Sequence, residues 1–523
     1  MSQRSVGLAA AWLAGTSVAS YALGLVRDRV LAAQFGAGLE LDVYNSAFLI
    51  PDLIMNIFAA ALTTAFIPVF TQLWTKQGEA AAWRVTNALL TGLAAVLLVV
   101  LSCAYIAMPW LVYLVAPGFD SIGKDLLIQT SRLMLLSPLG FGLSIAIGCA
   151  LQGRHRFLTY ALSPVVYNLT IIMSIWLLAP NYGVVGAVAG VAAGAFVHAG
   201  VRLFELLRVG FKPGLRWPWL EPALGETIRL MLPRVAGLLA VQANLWIYNA
   251  FASTLGEGNI SIFNFARNFQ SLPVSLFGIA LATVLFPRLA EHFAHDRPKA
   301  IVNLGQRAVT QLLFLTLPAM VGMMLVAYPL VKLLLGSGEF DDVAVTTTSI
   351  ALMVFAISIP LESMQHILAR IFYAQHNVKT PVKIALLGAV INTLVCFVAM
   401  QWLGVYGLAL GFVVTALSQV VLLQRALHKT GQSILTSQVF AAAFRMVIAS
   451  VTMAVAVAVA LWFVHPVALR LLAAVGLGVF AYAVCARGLH IPEFHDTVDM
   501  IKTLWQRKVQ PILNAFSGSR RQS

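Results

Sequence analysis

The sequence predicts an all-α polytopic membrane protein of about fourteen transmembrane helices, two parallel six-helix repeats plus two extra C-terminal helices. Three observations predict it. Hydrophobic residues make up 60% of the 523 and charged residues 10%, with mean hydropathy +0.86; soluble domains carry about 25% charged residues. The apolar residues run on for about 20 positions at a time, the length that crosses a bilayer as a helix. They do not alternate with period two, which disfavours a barrel. The chain also resembles itself at a spacing of roughly 220 residues, the mark of an internal repeat.

In order, spans are expected near 6–33, 43–72, 84–108, 125–151, 159–178, 184–207, 228–253, 260–288, 305–334, 346–373, 382–400, 404–426, 438–463 and 467–487. Residues 1–208 then form a first lobe, 209–222 a cytoplasmic linker and 223–430 a second lobe. Residues 431–490 supply two unrepeated helices and 491–523 a basic, amphipathic tail lying on the membrane surface. The first apolar run continues into the segment around Arg27, so it is expected to stay as a span and not to be cleaved as a leader.

The repeat is carried by matched segments. ALTTAFIPVFTQ (61–72) aligns with ALATVLFPRLAE (280–291), so that Pro68 falls on Pro287. MPWLVYLVAPGFD (108–120) resembles YPLVKLLLGSGEFD (328–341), and GRHRFLTYA (153–161) resembles AQHNVKTPV (374–382). An even number of spans per copy returns the second copy in the orientation of the first. The two lobes are then related by a pseudo-two-fold axis along the membrane normal, and a substrate site is expected between them near mid-membrane.

The formal net charge is +14, but its distribution argues against nucleic acid as a partner. Lys76, Arg84, Arg154, Arg202, Lys212, Arg288, Lys299, Lys383 and Arg425 fall in or beside alternate loops, and the opposite loops are poor in cations. The positive-inside rule then places both termini in the cytoplasm, with the basic loops against anionic membrane lipids. Cys103, Cys149, Cys396 and Cys485 all fall within expected spans without paired spacing, so neither disulfides nor a metal site is expected. No phosphate-binding loop, HExxH or GxSxG motif occurs, so enzyme chemistry is not expected.

Polar residues inside spans are more informative, because a charge at membrane depth costs about 2.5–3.5 kcal/mol on insertion scales and usually faces a bundle interior. Arg27 lies in the first span with Asp28 and Arg29 beside it. Asp42 opens the second span and Asn56 lies deeper in it. Arg234 follows Pro233 in the seventh span, and Arg267 and Asn268 sit in the eighth. Glu362, His366 and Arg370, at i, i+4 and i+8, share one face of the tenth. Arg27, Asp42, Asn56, Arg267, Asn268, His366 and Arg370 are the candidate substrate-binding set, with Arg29, Arg234 and Glu362 in a supporting tier. Gly36, Gly38 and Pro51 are candidate hinge positions. A structural reading stands beside each: Glu362 pairing with His366, Asp28 and Arg29 forming an interfacial collar, Asp52 capping a helix. Cations in excess imply an anionic ligand, and the planar guanidinium suits pyrophosphate.

The stretches LGLVRDRVLAAQFGAGLELDVYNSAFLIPDL (23–53), AFIPVF (65–70), APGF (116–119), FGIALATVLFPRLAEHF (277–293) and ARIFYAQHNVKTPVKIA (369–385) resemble the MurJ (MviN) family. These are the lipid II flippases of bacterial peptidoglycan synthesis, within the multidrug/oligosaccharidyl-lipid/polysaccharide exporter superfamily. The resemblance implies transport of lipid II or a similar undecaprenyl-linked saccharide across the inner membrane by alternating access, in the service of cell-wall biogenesis and cell shape. It implies a monomer with no cofactor, driven by the membrane potential or a monovalent ion, and no enzyme activity. It aligns Arg27, Asp42 and His366 with family site residues, and it implies that Asp42 pairs with an arginine when the site is empty or closed. Tyr21, Met55, Asn56, Ala60, Arg267, Asn268, Ser271 and Asn377 depart from the family pattern. The departures keep two alternatives open: export of another lipid-linked oligosaccharide, and a non-transporting pseudo-flippase scaffold.

Overall fold

A computed structural model describes residues 3–504 apart from 155, 157, 219–220, 222–224 and 226–243. The expected span 228–253, Arg234 and the basic end of the tail therefore lie largely or wholly outside the described residues. Every regular element among the described residues is a helix. The first half holds α1 (Gln3–Phe35), α2 (Leu39–Ala47), α3 (Leu49–Gln77), α4 (Glu79–Val115), α5 (Ser121–Met134), α6 (Leu136–Gly153), α7 (Leu158–Arg208) and α8 (244–253). The second holds α9 (Asn259–Pro273), a π-helical turn (Val274–Ile279), α10 (Ala280–Ala294), α11 (Pro298–Leu334), α12 (Asp342–Ala356) and α13 (Ser358–Ala374). It closes with α14 (Lys379–Leu403), α15 (Val405–Lys429), α16 (Ser437–Phe463), α17 (Val467–Gly488) and α18 (Pro492–Leu504).

Among the described residues, nine helices are long and apolar enough to cross a membrane, or ten if the bent pair α12–α13 is one span. Helix α7 contains more than one crossing's length. Gly183, at φ 54 and ψ −142, reverses the chain inside it. Ser174 Oγ accordingly donates to the Gly186 carbonyl at 2.7 Å. The segments on either side of Gly183 therefore lie antiparallel, where spans 159–178 and 184–207 were expected. Gly404, at φ 56, makes the same reversal between α14 and α15.

Three breaks within expected spans share one feature, a proline three residues on, although Pro68, Pro109 and Pro318 lie inside continuous helices. Proline lacks the N–H that bonds the carbonyl four residues back. Pro51, Pro138 and Pro360 leave the carbonyls of Ala47, Met134 and Ala356 without that bond, and α2, α5 and α12 each end at that residue. The effect of Pro51 thus falls at Phe48, and Pro51 itself sits buried in the first turn of α3. Proline is well tolerated in a first turn, because its missing donor is not needed there.

Two compact units result. Unit 1 comprises Met1–Ile262 with Leu334–Val345, and unit 2 comprises Phe263–Leu333 with Thr346–Ser523. Unit 2 is built on an apolar core drawn from α10, α11, α13, α15, α16 and α17, including Leu312, Ile371, Leu427 and Met446. Tyr482 of α17 buries its hydroxyl and donates it to the Phe314 carbonyl of α11 at 2.8 Å. Helix α18 ties to α11 where Gln311 donates to Thr497 Oγ1 at 2.6 Å.

Candidate functional site

In unit 1, α1 carries Arg27 into contact with α7. Its Nε and Nη2 donate to Asp28 Oδ1 at 3.1 and 2.8 Å, and Nη1 donates to Asn168 Oδ1 at 3.3 Å. Asn168 is itself held, its amide donating to the Pro164 carbonyl at 3.0 Å. The Arg27 side chain stays 25% exposed. All three guanidinium nitrogens are thus engaged, two by an acid and one by an amide, while the side chain as a whole stays partly exposed. Arg29 is exposed. The Tyr44 hydroxyl on α2 is buried with no hydrogen-bond partner among the described residues.

Asp42 was expected to pair with an arginine. The structure corrects this: among the described residues no arginine lies within ion-pair distance of it. Its carboxylate is fully buried. It accepts from the Gly258 N–H at 2.7 Å, the Ser261 N–H at 2.8 Å and Ser261 Oγ at 2.6 Å. Gly258 and Ser261 flank the start of α9, where backbone N–H groups point outward without intrahelical partners. A carboxylate there satisfies them and meets the positive end of the helix dipole.

The neighbours reinforce the same seam. Asn45 donates to Ser261 Oγ at 3.1 Å, and Asn249 donates to Ser46 Oγ at 3.1 Å and to the Val115 carbonyl at 2.8 Å. The Glu339 N–H donates to the Ala33 carbonyl at 3.0 Å. Gly36 (φ 60) and Gly338 (φ 61) let the two backbones meet: a Cβ on Gly36 would sit 2.5 Å from the Glu339 carbonyl oxygen, and one on Gly338 would strike the Ala33 carbonyl. Gly36 is therefore a packed contact in this state. Gly38 has extended backbone (φ −133, ψ −177) and caps α2.

Asn56 donates to Asp52 Oδ2 at 2.8 Å, one turn apart on α3. In unit 2, Arg267 is half-buried and Asn268 exposed. Glu362, His366 and Arg370 line one face of α13, all half-buried. No ion pair within 4 Å joins Glu362 to His366 among the described residues. Glu362 Oε2 instead accepts from Gln270 Nε2 at 2.9 Å, and the same amide reaches Ser358 Oγ at 2.9 Å. The Arg370 guanidinium lies 5.4 Å from the Phe286 ring centre, within cation–π range.

Arg202 is a second correction. It counted among the loop cations, yet it is 5% exposed inside α7. It donates to Ser163 Oγ at 3.2 Å and the Ser144 carbonyl at 3.0 Å, and stacks 4.3 Å from the Tyr160 ring. Sequence reasoning also missed Asn168, Asn249, Ser261 and Gln270, uncharged groups that matter only through distant partners. Asn168 alone had a local signal, a polar amide in an apolar run.

These features define a multi-pass helical membrane protein with polar side chains fixed at depth in its spans. The sequence pattern of the family described as "Lipid II flippase MurJ" matches residues 31–476, and the chain belongs to that family. A Burkholderia cenocepacia protein named "Lipid II flippase MurJ" is 30% identical over 435 residues, covering 80% of this chain and 83% of that protein. A Vibrio cholerae protein named "Probable lipid II flippase MurJ" is 29% identical over 485 residues, 88% of this chain and 92% of that one. A solved structure titled "Lipid II flippase MurJ, inward closed conformation" shares the fold with TM-score 0.75 at 21% identity, covering 91% of this chain and 99% of that chain. An inward-facing multidrug resistance MATE family transporter matches with TM-score 0.65 at 16% identity, covering 79% and 94%.

Proposed function

We propose that this chain carries lipid II from the inner to the outer leaflet of the bacterial cytoplasmic membrane, without covalent chemistry. The observation that carries the reading is the family match over residues 31–476. Arg27 supports it: a partly exposed guanidinium held in place by Asp28 and Asn168 is the kind of planar donor that suits a pyrophosphate. In this reading Arg27, Arg267 and His366 or Arg370 hold the anionic head. Alternating exposure of that site to the two membrane faces carries it across, and the membrane potential or a monovalent ion drives or resets the cycle. Moving one charge through 100 mV is worth about 2.3 kcal/mol. The protein acts as a monomer with both termini in the cytoplasm.

We propose fourteen crossings in two parallel repeats plus α16 and α17. The reversals at Gly183 and Gly404 support this, as do the proline breaks before Pro138 and Pro360 and the matching helix caps of Asp120 and Asp341, which accept from Gly123 and Ala344 N–H at 2.7 and 2.8 Å. Each pair recurs at the spacing of the sequence repeat. The asparagine-for-arginine departure at Asn56, whose amide is engaged by Asp52, favours a second reading in which a related polyprenyl-linked glycan is the cargo.

The test is transport of fluorescent lipid II by the purified chain in vesicles, with and without an imposed potential. Transport lost in Arg27→Ala at normal protein levels is expected. Wild-type transport by Arg27→Ala, or rescue by it of cells depleted of their own flippase, refutes the proposed site.

A further inference from the structure

A groove of about 840 Å³ lies in unit 1 between α4 and the α5–α6 pair, and nothing in the proposed transport cycle uses it. Its lining changes character from one end to the other. Leu98 and Leu101 of α4 and Leu136 and Leu139 of α6 line one end, Tyr105 and Arg132 sit next to them, and Asp125 and Gln129 with the apolar Ile106 and Ile128 continue toward Ser121. Asp125, Gln129 and Arg132, at i, i+4 and i+7, project from one face of α5. Leu98 and Leu136 are 54% and 46% exposed, so the leucine end opens at the protein surface.

The polar end falls where a bilayer has its head groups. Arg84 and Tyr105 are about 31 Å apart along α4, close to the hydrocarbon thickness of about 30 Å. Beyond Tyr105 the exposed aromatics Trp110 and Tyr113 continue up α4, as an interfacial belt does. Two cations of α5 rest on tyrosines of α4 at this level: Lys124 lies 4.8 Å from the Tyr113 ring and Arg132 4.5 Å from the Tyr105 ring. Arg132 uses Nε on the Tyr105 carbonyl at 3.3 Å. Among the described residues no carboxylate lies within ion-pair distance of it, which leaves its two terminal nitrogens to a ligand.

We propose that this groove binds a zwitterionic aminophospholipid of the phosphatidylethanolamine class, in the outer leaflet under the topology proposed above. The order of groups along the groove matches the order of groups in such a lipid. Asp125, outermost, meets the ammonium. Arg132, two turns deeper, takes the phosphate on its fork, and Gln129 lies between them. The leucines receive an acyl chain. A phosphatidylglycerol head group gives Arg132 the same phosphate but offers Asp125 only neutral hydroxyls in place of an ammonium, so Asp125 discriminates the amine-bearing lipid from the anionic one.

The delipidated full-length protein is mixed with phosphatidylethanolamine or phosphatidylglycerol of identical acyl chains, and retained lipid is counted by native mass spectrometry. Wild-type protein is expected to retain one phosphatidylethanolamine more tightly than phosphatidylglycerol. Arg132→Gln is expected to weaken that lipid about tenfold by removing a charge-assisted pair. Asp125→Asn is expected to abolish the preference, and Leu101→Trp, which fills the groove, to displace both lipids. Arg132→Gln changes a partly exposed polar end and keeps the test informative if Leu101→Trp fails to fold. Unchanged retention in Arg132→Gln, equal retention of the two lipids by wild-type protein, or a co-purifying polypeptide in place of lipid overturns the assignment. Lipid II transport is read separately, so failure here is distinguishable from failure of the proposed function.

Discussion

Replacing Asp42 by alanine removes the acceptor for two backbone N–H groups and one hydroxyl, at 2.7, 2.8 and 2.6 Å, in a seam where Asp42 is fully buried. A buried donor left without a partner costs about 1–3 kcal/mol. The two N–H groups of Gly258 and Ser261 together set a penalty on the closed seam of about 2–6 kcal/mol. Ser261 Oγ can rotate to another acceptor and adds little. The assay places a cysteine at Ser46, which is 1% exposed beside Asn249, after replacing Cys103, Cys149, Cys396 and Cys485. The rate of reaction of purified protein with a hydrophilic maleimide then reports how often the seam opens. A penalty of about 2 kcal/mol raises that rate about thirtyfold. Asp42→Asn keeps one acceptor oxygen and is expected to fall between wild type and alanine. Equal labelling rates in the Asp42 and Asp42→Ala backgrounds would refute the reasoning, because the carboxylate would then not be holding the seam shut.

Other outcomes follow from the same coordinates. Gly338→Ala must adopt φ 61 and also push a Cβ into the Ala33 carbonyl, whereas Gly404→Ala meets φ 56 in open space; thermal melting of purified protein should show the first clearly more destabilised, the second by only about 1 kcal/mol. Tyr482→Phe leaves the Phe314 carbonyl without its side-chain donor inside the unit 2 core, a loss of about 1 kcal/mol read as a lower melting temperature; unchanged melting would show that bond to be dispensable. Arg27→Lys keeps the charge but not the fork that grips both Asp28 and Asn168, so lipid II transport in vesicles should drop well below wild type yet exceed that of Arg27→Ala.

The sequence by itself determined the membrane class and the all-helical character of the chain. Transfer of each side chain from water to lipid is a local, nearly additive quantity, so a run of apolar residues announces a span wherever it occurs. The break at Phe48 was legible in the same local way through Pro51, but those at Leu135 and Ile357 were not, since Pro68, Pro109 and Pro318 strip the same bond inside unbroken helices. Only the tertiary structure decided what each polar group touches. Asp42 finds Gly258 and Ser261 far along the chain, and Arg202 disappears among Ser144, Tyr160 and Ser163. Hydrogen bonds act over about 3 Å and depend on which helix ends meet. A carboxylate at the head of one helix reads the same in sequence whether its partner is an arginine or the open N-terminus of another helix, and packing makes that choice.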